Sequence, residues 1–230
     1  MHSNIFMENL PKALSSEQLR RLDQRAKDLG MGETILIENA SSNLFGVIDK
    51  LDLGKKALVI SGRGNNGADV LSCARKLFSR GYEVKAAVLQ DKPLGSQAYL
   101  QKSILDKIKV PVAIVKPRYT DQINIFLQEC DFVLDGILGI GVKGEISDFF
   151  KAVISLVNQS GKKIVSCDIP SGLSPDEGVV LGEAIKADYT VSFIAPKKGF
   201  FVKQGPNLCG KIFVADIGIS KEILEKRESL

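Results

Sequence analysis

Apolar positions along this chain recur at two spacings, and the switches between them mark out the elements. After an irregular arm over residues 1–13, Ser15 and Gln18 form a capping box, and Leu19, Leu22, Ala26 and Leu29 recur at helical spacing until Gly30. A second helix is predicted after Gly32, carrying Ile35, Ile37, Ala40, Leu44, Val47 and Leu51, with the polar pair Glu38–Asn39 reading on pattern alone as its surface turn. From there short apolar runs alternate with helical patterns. The runs are 57–60, 82–89, 112–115, 131–135, 163–168, 189–194 and 211–215. Helices are predicted after Gly67, over 96–107 and 120–129, after a Ser147 cap with Phe149, Phe150, Val153, Ile154 and Val157 inward, and from about Ser220.

Strands alternating with helices predict a three-layer, Rossmann-like α/β fold: a mostly parallel sheet, helices on both faces and two extra N-terminal helices, in a single domain over 1–230. Such sheets bind ligands beyond the carboxyl ends of their strands, where this chain concentrates its unusual residues. The run from Gly62 to Asp69 satisfies Gly-x-Gly-x-x-Gly between a strand and a helix, a place where free N–H groups and the helix dipole favour a phosphate. Asn65, Asn66 and Asp69 add polar groups that a plain turn does not need, although Asn also suits left-handed backbone and Asp69 taken alone reads as a helix cap. Asp135 leads into a second glycine-rich loop, 136–144, and Asp168 opens Asp-Ile-Pro-Ser-Gly. An Asp at a strand end is usually a cap; two of them beside a phosphate-type loop point to a site.

Composition narrows the chemistry. The 230 residues are 44% hydrophobic, enough for one substantial core. Lys+Arg 31 against Asp+Glu 27 leaves +4, too little and too dispersed for a nucleic-acid surface but suited to a phosphorylated small molecule. No apolar run approaches a membrane span and no signal-peptide pattern opens the chain, so a cytoplasmic protein is expected. Cys73, Cys130, Cys167 and Cys209 are scattered and read as reduced, buried residues. His2 is the only histidine, which removes histidine-based triads and the usual zinc hydrolases and leaves acid–base work to carboxylates, lysines or tyrosines.

Taken together these segments resemble the NAD(P)HX epimerases, the YjeF N-terminal domain family. The family's Gly-x-Gly-Asn-Asn-Gly-Gly-Asp-Gly is similar to Gly62–Val70, its Asp-Ala-x-Phe-Gly-Thr-Gly-Leu to Asp135–Val142, and its Val-Asp-Ile-Pro-Ser-Gly-Leu to Cys167–Leu173. Ala187–Val191, Pro196–Gly199 and Ile37–Ala40 match further motifs, and the resemblance spans about residues 15–217. It implies interconversion of the R and S forms of hydrated NADH and NADPH, feeding a partner dehydratase. By motif, Asn65, Asn66, Gly67, Ala68 and Asp69 with Gly139, Ile140, Gly141, Val142 and Lys143 would hold the substrate. Asn66, Asp135 and Ser171 would coordinate a potassium ion, and Asp168 would contact the reacting ring. With no histidine available, Asp168 is expected to relay the proton as the ring hydroxyl leaves and returns, or as the ring opens and recloses. The motif also draws Asn39 into substrate binding, reversing its surface reading, while Lys197 is either a site charge or a solvated lysine. A homodimer through the N-terminal helices is expected. Residues 220–230 read as a charged helix able to lead into a linker, and whether the chain stands alone or heads a fusion stays open.

Ala68 and Val70 stand where the family has glycines, Leu138 where Phe is common, Ile140 in place of Thr, and Gly144 in place of a basic residue. Bulk at 68 and 70 is expected to narrow the approach to a phosphate. Two alternatives remain at this point: an NAD-dependent oxidoreductase, suggested by the glycine run and Asp91, and a non-catalytic nucleotide-binding or scaffold module of the same fold.

Overall fold

The structure, a computed structural model, describes residues 10–218. Most of the expected N-terminal arm, His2 and the helix expected from Ser220 lie outside the described residues. The elements run α1 (Ser16–Asp28), α2 (Glu33–Leu51), β1 (Lys56–Ser61), α3 (Asn65–Ser79), β2 (Glu83–Leu89), α4 (Ser96–Lys107), β3 (Val112–Val115), α5 (Gln122–Glu129), β4 (Phe132–Gly136), α6 (Asp148–Gln159), β5 (Lys163–Cys167), β6 (Tyr189–Phe193), α7 (Gly205–Leu208) and β7 (Lys211–Ala215). The strands form one parallel sheet in the order β3-β2-β1-β4-β5-β6-β7.

The pleat sorts the apolar side chains into two layers. Ala57 and Val59 of β1, Val84, Ala86 and Val88 of β2 and Leu134 of β4 face Leu44, Val47 and Ile48 of α2 and Leu71, Ala74 and Leu77 of α3. Leu58, Ile60, Ala87 and Val133, one residue out of phase, face Ile123 and Leu127 of α5 and Val153, Ile154 and Val157 of α6. A one-residue slip of any central strand would exchange the two sets, so the register Val59↔Ala86 and Val59↔Leu134 is held from both sides.

The capping box at α1 is present, with Ser15 Oγ accepting from Gln18 N at 3.2 Å and Ser15 N donating to Gln18 Oε1 at 2.9 Å. Leu29 differs from expectation: it is the C-cap and 66% exposed, because Gly30, at φ +89°, turns the chain before another helical turn forms. Ile35 is exposed and Phe150 only half-buried, since each lies at the edge of its helix's inward stripe. Ser147 occupies the N-cap position of α6 without a side-chain hydrogen bond to it. The segment from Thr120 starts as a turn and becomes helix at Gln122. Ala68 and Val70, expected to crowd a ligand, are wholly buried instead: Ala68 packs against Ile37 and Ala98, and Val70 joins the core beneath α3.

Candidate active site

β1 has β2 on one side and β4 on the other, so the chain runs outward from β1 through β2 to β3, then returns across it to start β4. At such a reversal the loops after the two central strands diverge and leave a crevice. Here a cavity of about 700 Å³ opens beyond the carboxyl ends of the strands, lined among others by Gly64–Gly67, Asp69, Ile137–Val142, Asp168, Phe193, Ile194 and Lys197.

Its floor is the start of α3. The helix begins at Asn65, so Asn65–Asp69 form its first turn and are not a loop preceding it. Gly64 takes the N-cap place with no side chain to cap with, and the backbone N–H groups of Asn65, Asn66 and Gly67 donate to no described acceptor. They point out of a positive helix end, the arrangement that binds phosphate oxygens. Close backbone approach makes glycine necessary here. A Cβ on Gly62 would fall on the Ile137 carbonyl oxygen and force the two glycine-rich loops apart, and one on Gly67 would fall on the Gly62 carbonyl oxygen and force the strand-to-helix turn open.

Behind the floor lies a fully buried polar cluster. Asp135 accepts from Ser166 Oγ at 2.8 Å, from Ser171 N at 3.0 Å and Oγ at 2.6 Å, and from Ile137 N at 3.2 Å. Burial nevertheless raises its pKa, with those hydrogen bonds opposing. Asn66 Nδ2 donates to the Leu138 carbonyl at 3.0 Å, and Ser171 Oγ lies 3.2 Å from the same oxygen. Asn66 Oδ1 is buried and has no hydrogen-bond partner. Among the described residues no three His, Cys, Asp or Glu side chains converge, so any cation held here would rest on neutral oxygens and one carboxylate.

The wall at β5 and β6 is strained. Asp168 and Ile194 both have left-handed backbone, φ +64° and +68°, an uncommon state for Asp and an outlier for a β-branched residue. Each is the centre of a three-residue turn, closed by Ile169 N to Cys167 O at 2.7 Å and by Ala195 N to Phe193 O at 2.7 Å. The two turns lean on one another, because Phe193 N donates to Asp168 Oδ1 at 3.1 Å. Lys197, 1% exposed, donates to the same Asp168 oxygen and to Ser192 Oγ at 2.9 Å. It is thus a buried partner of Asp168 and not a solvated lysine. Strain concentrated at a cavity wall is characteristic of functional sites.

Helix α1 closes the cavity above. Leu14 forms a bridge with Lys197, its N–H reaching Pro196 O at 2.9 Å and its carbonyl accepting from Lys198 N at 3.1 Å. Leu19 and Leu22 pack on Ala195, Ile140 and Ile194, and Ser16 donates twice to Asp176. The neighbouring stripe of α1, Arg20, Asp23 and Lys27, lines the cavity. Two carboxyls there are pushed up. Asp23 rises to about 6 through burial and then Asp168; Asp69 rises well above its ordinary value through burial, then Asp168 and Asp23, with Lys197 only partly offsetting them.

Of the motif-assigned residues, Asn65, Asn66, Gly67, Asp69, Gly139, Ile140, Gly141, Val142, Asp168 and Lys197 share this cavity. Asn39, Ala68 and Lys143 do not line it: the Asn39 amide donates to Ile217 O at 3.0 Å, Ala68 is core, and Lys143 is exposed. Asp69 is an interior residue of α3 and not its cap. Asp23 went unassigned because a polar residue at i, i+3 or i+7 looks the same whether it faces water or a cavity.

Residues 33–199 match the family described as YjeF-related protein N-terminus. The NAD(P)H-hydrate epimerase of Elusimicrobium minutum is 33% identical over 222 residues, 94% of this chain and 99% of that protein. The NAD(P)H-hydrate epimerase of Limosilactobacillus fermentum is 32% identical over 89% of this chain and 96% of its own. The bifunctional NAD(P)H-hydrate repair enzyme Nnr of Dictyoglomus turgidum is 34% identical over 93% of this chain, which spans only 41% of that relative's length. The crystal structure of yeast ynu0, YNL200c, has the same fold, with a TM-score of 0.81 at 23% identity over 94% of this chain and 93% of that one.

Proposed function

From the premise that this chain belongs to the YjeF-related protein N-terminus family, we propose that it is an NAD(P)H-hydrate epimerase, interconverting the R and S forms of hydrated NADH and NADPH. The observation that carries the reading is the strained, lysine-paired Asp168 in the wall of a cavity whose floor is a helix N-terminus. A dinucleotide needs both ends of that arrangement. The N–H groups of Asn65, Asn66 and Gly67 hold the pyrophosphate, with Gly139–Val142 along its side, and the damaged ring reaches the Asp168 wall. Lys197 and Phe193 N hold the Asp168 carboxylate in one orientation, so it needs no reorganisation as the ring hydroxyl leaves and returns. Asp168 then moves the proton, the task a histidine would otherwise take.

Asn66, Asp135 and Ser171, with the Leu138 carbonyl, form the oxygen set proposed for a potassium ion, and the unpartnered Asn66 Oδ1 is the observation that favours one. Bound there, the ion would supply positive charge that offsets the burial of Asp135 and steadies both glycine-rich loops. Bifunctional relatives support a functional coupling to a dehydratase that consumes the S form. No helix among the described residues is long and apolar enough to cross a membrane.

The test is the rate at which purified protein in potassium buffer re-equilibrates isolated R-NADHX, set against the uncatalysed rate and against Asp168→Asn with binding measured separately. Acceleration that the variant loses while still binding supports the assignment. No acceleration of NADHX or NADPHX overturns it in favour of a nucleotide-binding module.

A further inference from the structure

In the route proposed above, in which the ring hydroxyl leaves and returns, both faces of the reacting carbon must be served, because the hydroxyl departs from one face and returns on the other. One carboxyl, fixed by Lys197 and Phe193 N at the strand ends, reaches a ring from the sheet side only. We propose that Asp23, held over the cavity by α1, is the second acid–base group of the reaction, acting on the ring face opposite Asp168. The inference rests on the epimerase reading above.

Three observations carry it. First, Asp23 and Asp168 line the same cavity from different walls, Asp23 from helix α1 and Asp168 from the turn after β5, close enough that the charge of Asp168 acts on Asp23. Second, α1 is fixed there. The Leu14–Lys197 bridge, the Ser16–Asp176 hydrogen bonds and the packing of Leu19 and Leu22 attach one stripe of the helix to the sheet edge, and Arg20 donates to Ile140 O at 3.1 Å. The adjacent stripe therefore projects into the cavity by construction. Third, Asp23 has no structural employment: it makes no hydrogen bond or ion pair with any described residue, although it is only partly exposed. The charged groups around it are Arg20 and Lys27 on its own helix, Glu33 at the start of α2, Asp69 on α3, and Asp168 and Lys197 at the sheet edge. Partial burial and then the charge of Asp168 favour its neutral form, with Lys27 and Lys197 only partly offsetting them, while the buried ammonium of Lys197 attends Asp168. Two carboxyls whose surroundings differ in this way divide into an acid and a base.

In the R-to-S direction neutral Asp23 gives its proton to the ring hydroxyl as the C–O bond breaks. The products are water, the Asp23 carboxylate and a ring cation shared with the ring nitrogen. A water molecule then forms the new C–O bond from the other face and passes its proton to Asp168, and solvent returns that proton to Asp23. Nothing is oxidised or reduced, and the S-to-R direction exchanges the two roles.

The experiment measures kcat and KM for R-NADHX in potassium buffer across pH 5–9, with the uncatalysed rate subtracted, for wild type, Asp23→Asn and Asp23→Glu. The Asn variant is expected to lose about 100-fold in kcat with KM changed less than threefold, and to lose the alkaline limb of the wild-type profile. The Glu variant, still titratable but one methylene longer, is expected to keep the limb at a smaller loss in kcat. If wild type accelerates the exchange while Asp23→Asn stays within twofold of it and keeps the limb, Asp23 is only wall and the inference is overturned alone. If Asp23→Asn does not fold, a Glu variant lacking the limb overturns it equally. A wild type without acceleration removes the epimerase reading and this inference with it.

Discussion

Lys197 shows how far one side chain departs from what its neighbours in sequence suggest. In Lys197–Lys198 it reads as either a site charge or a solvated lysine, yet it is almost wholly buried and its ammonium meets Asp168 and Ser192. Removing one member of a buried pair leaves the other uncompensated, so Lys197→Met is expected to cost about 3 kcal/mol by urea unfolding. The double variant with Asp168→Asn should recover a large part of that; equal losses for single and double variants would show that the pair is not coupled. Asp23 carries the opposite sign. Its folded pKa of about 6 lies above the ordinary 3.8, so the native state binds the extra proton between those values and loses stability as pH rises through that window. Asp23→Asn is therefore expected to stabilise the protein by about 1–2 kcal/mol at pH 7.5, after allowance for partial exposure, and to change nothing near pH 4. A variant less stable than wild type at pH 7.5 would contradict the cause given for the shift.

At the scale of elements, α3 decides the geometry of the site. Alanine is worth about 1 kcal/mol more than glycine inside a helix, which on propensity alone favours Gly67→Ala. The added Cβ would meet the Gly62 carbonyl oxygen, however, and overpacking against backbone costs about 1–3 kcal/mol. The clash outweighs the propensity: a net loss of about 1–2 kcal/mol is expected, with weakened dinucleotide binding measured by calorimetry. Unchanged binding and stability would mean that the turn from Gly62 to Gly67 opens freely. On its outer side α3 is joined to α2 by Glu38, which accepts from Arg75 at 2.5 Å, Lys76 at 2.6 Å and Ser72 at 3.0 Å. These bonds overcome its desolvation and lower its pKa from 4.5 to about 2. A depressed carboxylate contributes stability above its unfolded value and loses it as pH falls through the folded one. Glu38→Gln should thus flatten the acid limb of stability between those values, by about 1 kcal/mol because the side chain is 38% exposed. The Gly-x-Gly-x-x-Gly run announced a strand-to-helix turn correctly, but not that Asn65 already belongs to the helix, since asparagine also suits a left-handed turn.

For the molecule as a whole, the proposed cation ties β4, the α3 floor and the loop after β5 into one unit. If Asn66, Asp135 and Ser171 hold potassium, replacing it by tetramethylammonium at equal ionic strength should lower the Tm of wild type, and Asp135→Asn should erase the difference. A Tm indifferent to the ion in both proteins would remove potassium from the site without touching the remainder. The alternation of apolar periods was sufficient to determine the seven strands, helices α1–α6, their order and the two-layered core, though not the short α7, because burial periodicity is a local property: each central strand must present side chains to both helical layers whatever its neighbours are. The motifs likewise placed the two glycine-rich loops and both strand-end aspartates at one edge of the sheet. What periodicity does not contain is which surface each face meets. The reversal between β1 and β4, the folding of α1 across the strand ends and the burial of Lys197 arise from long-range contacts, such as that of Leu14 with Lys197, whose partners are remote in sequence. A helix stripe of Arg20, Asp23 and Lys27 is polar in either case; only the packing of the adjacent stripe decided that it would look into a cavity instead of into water.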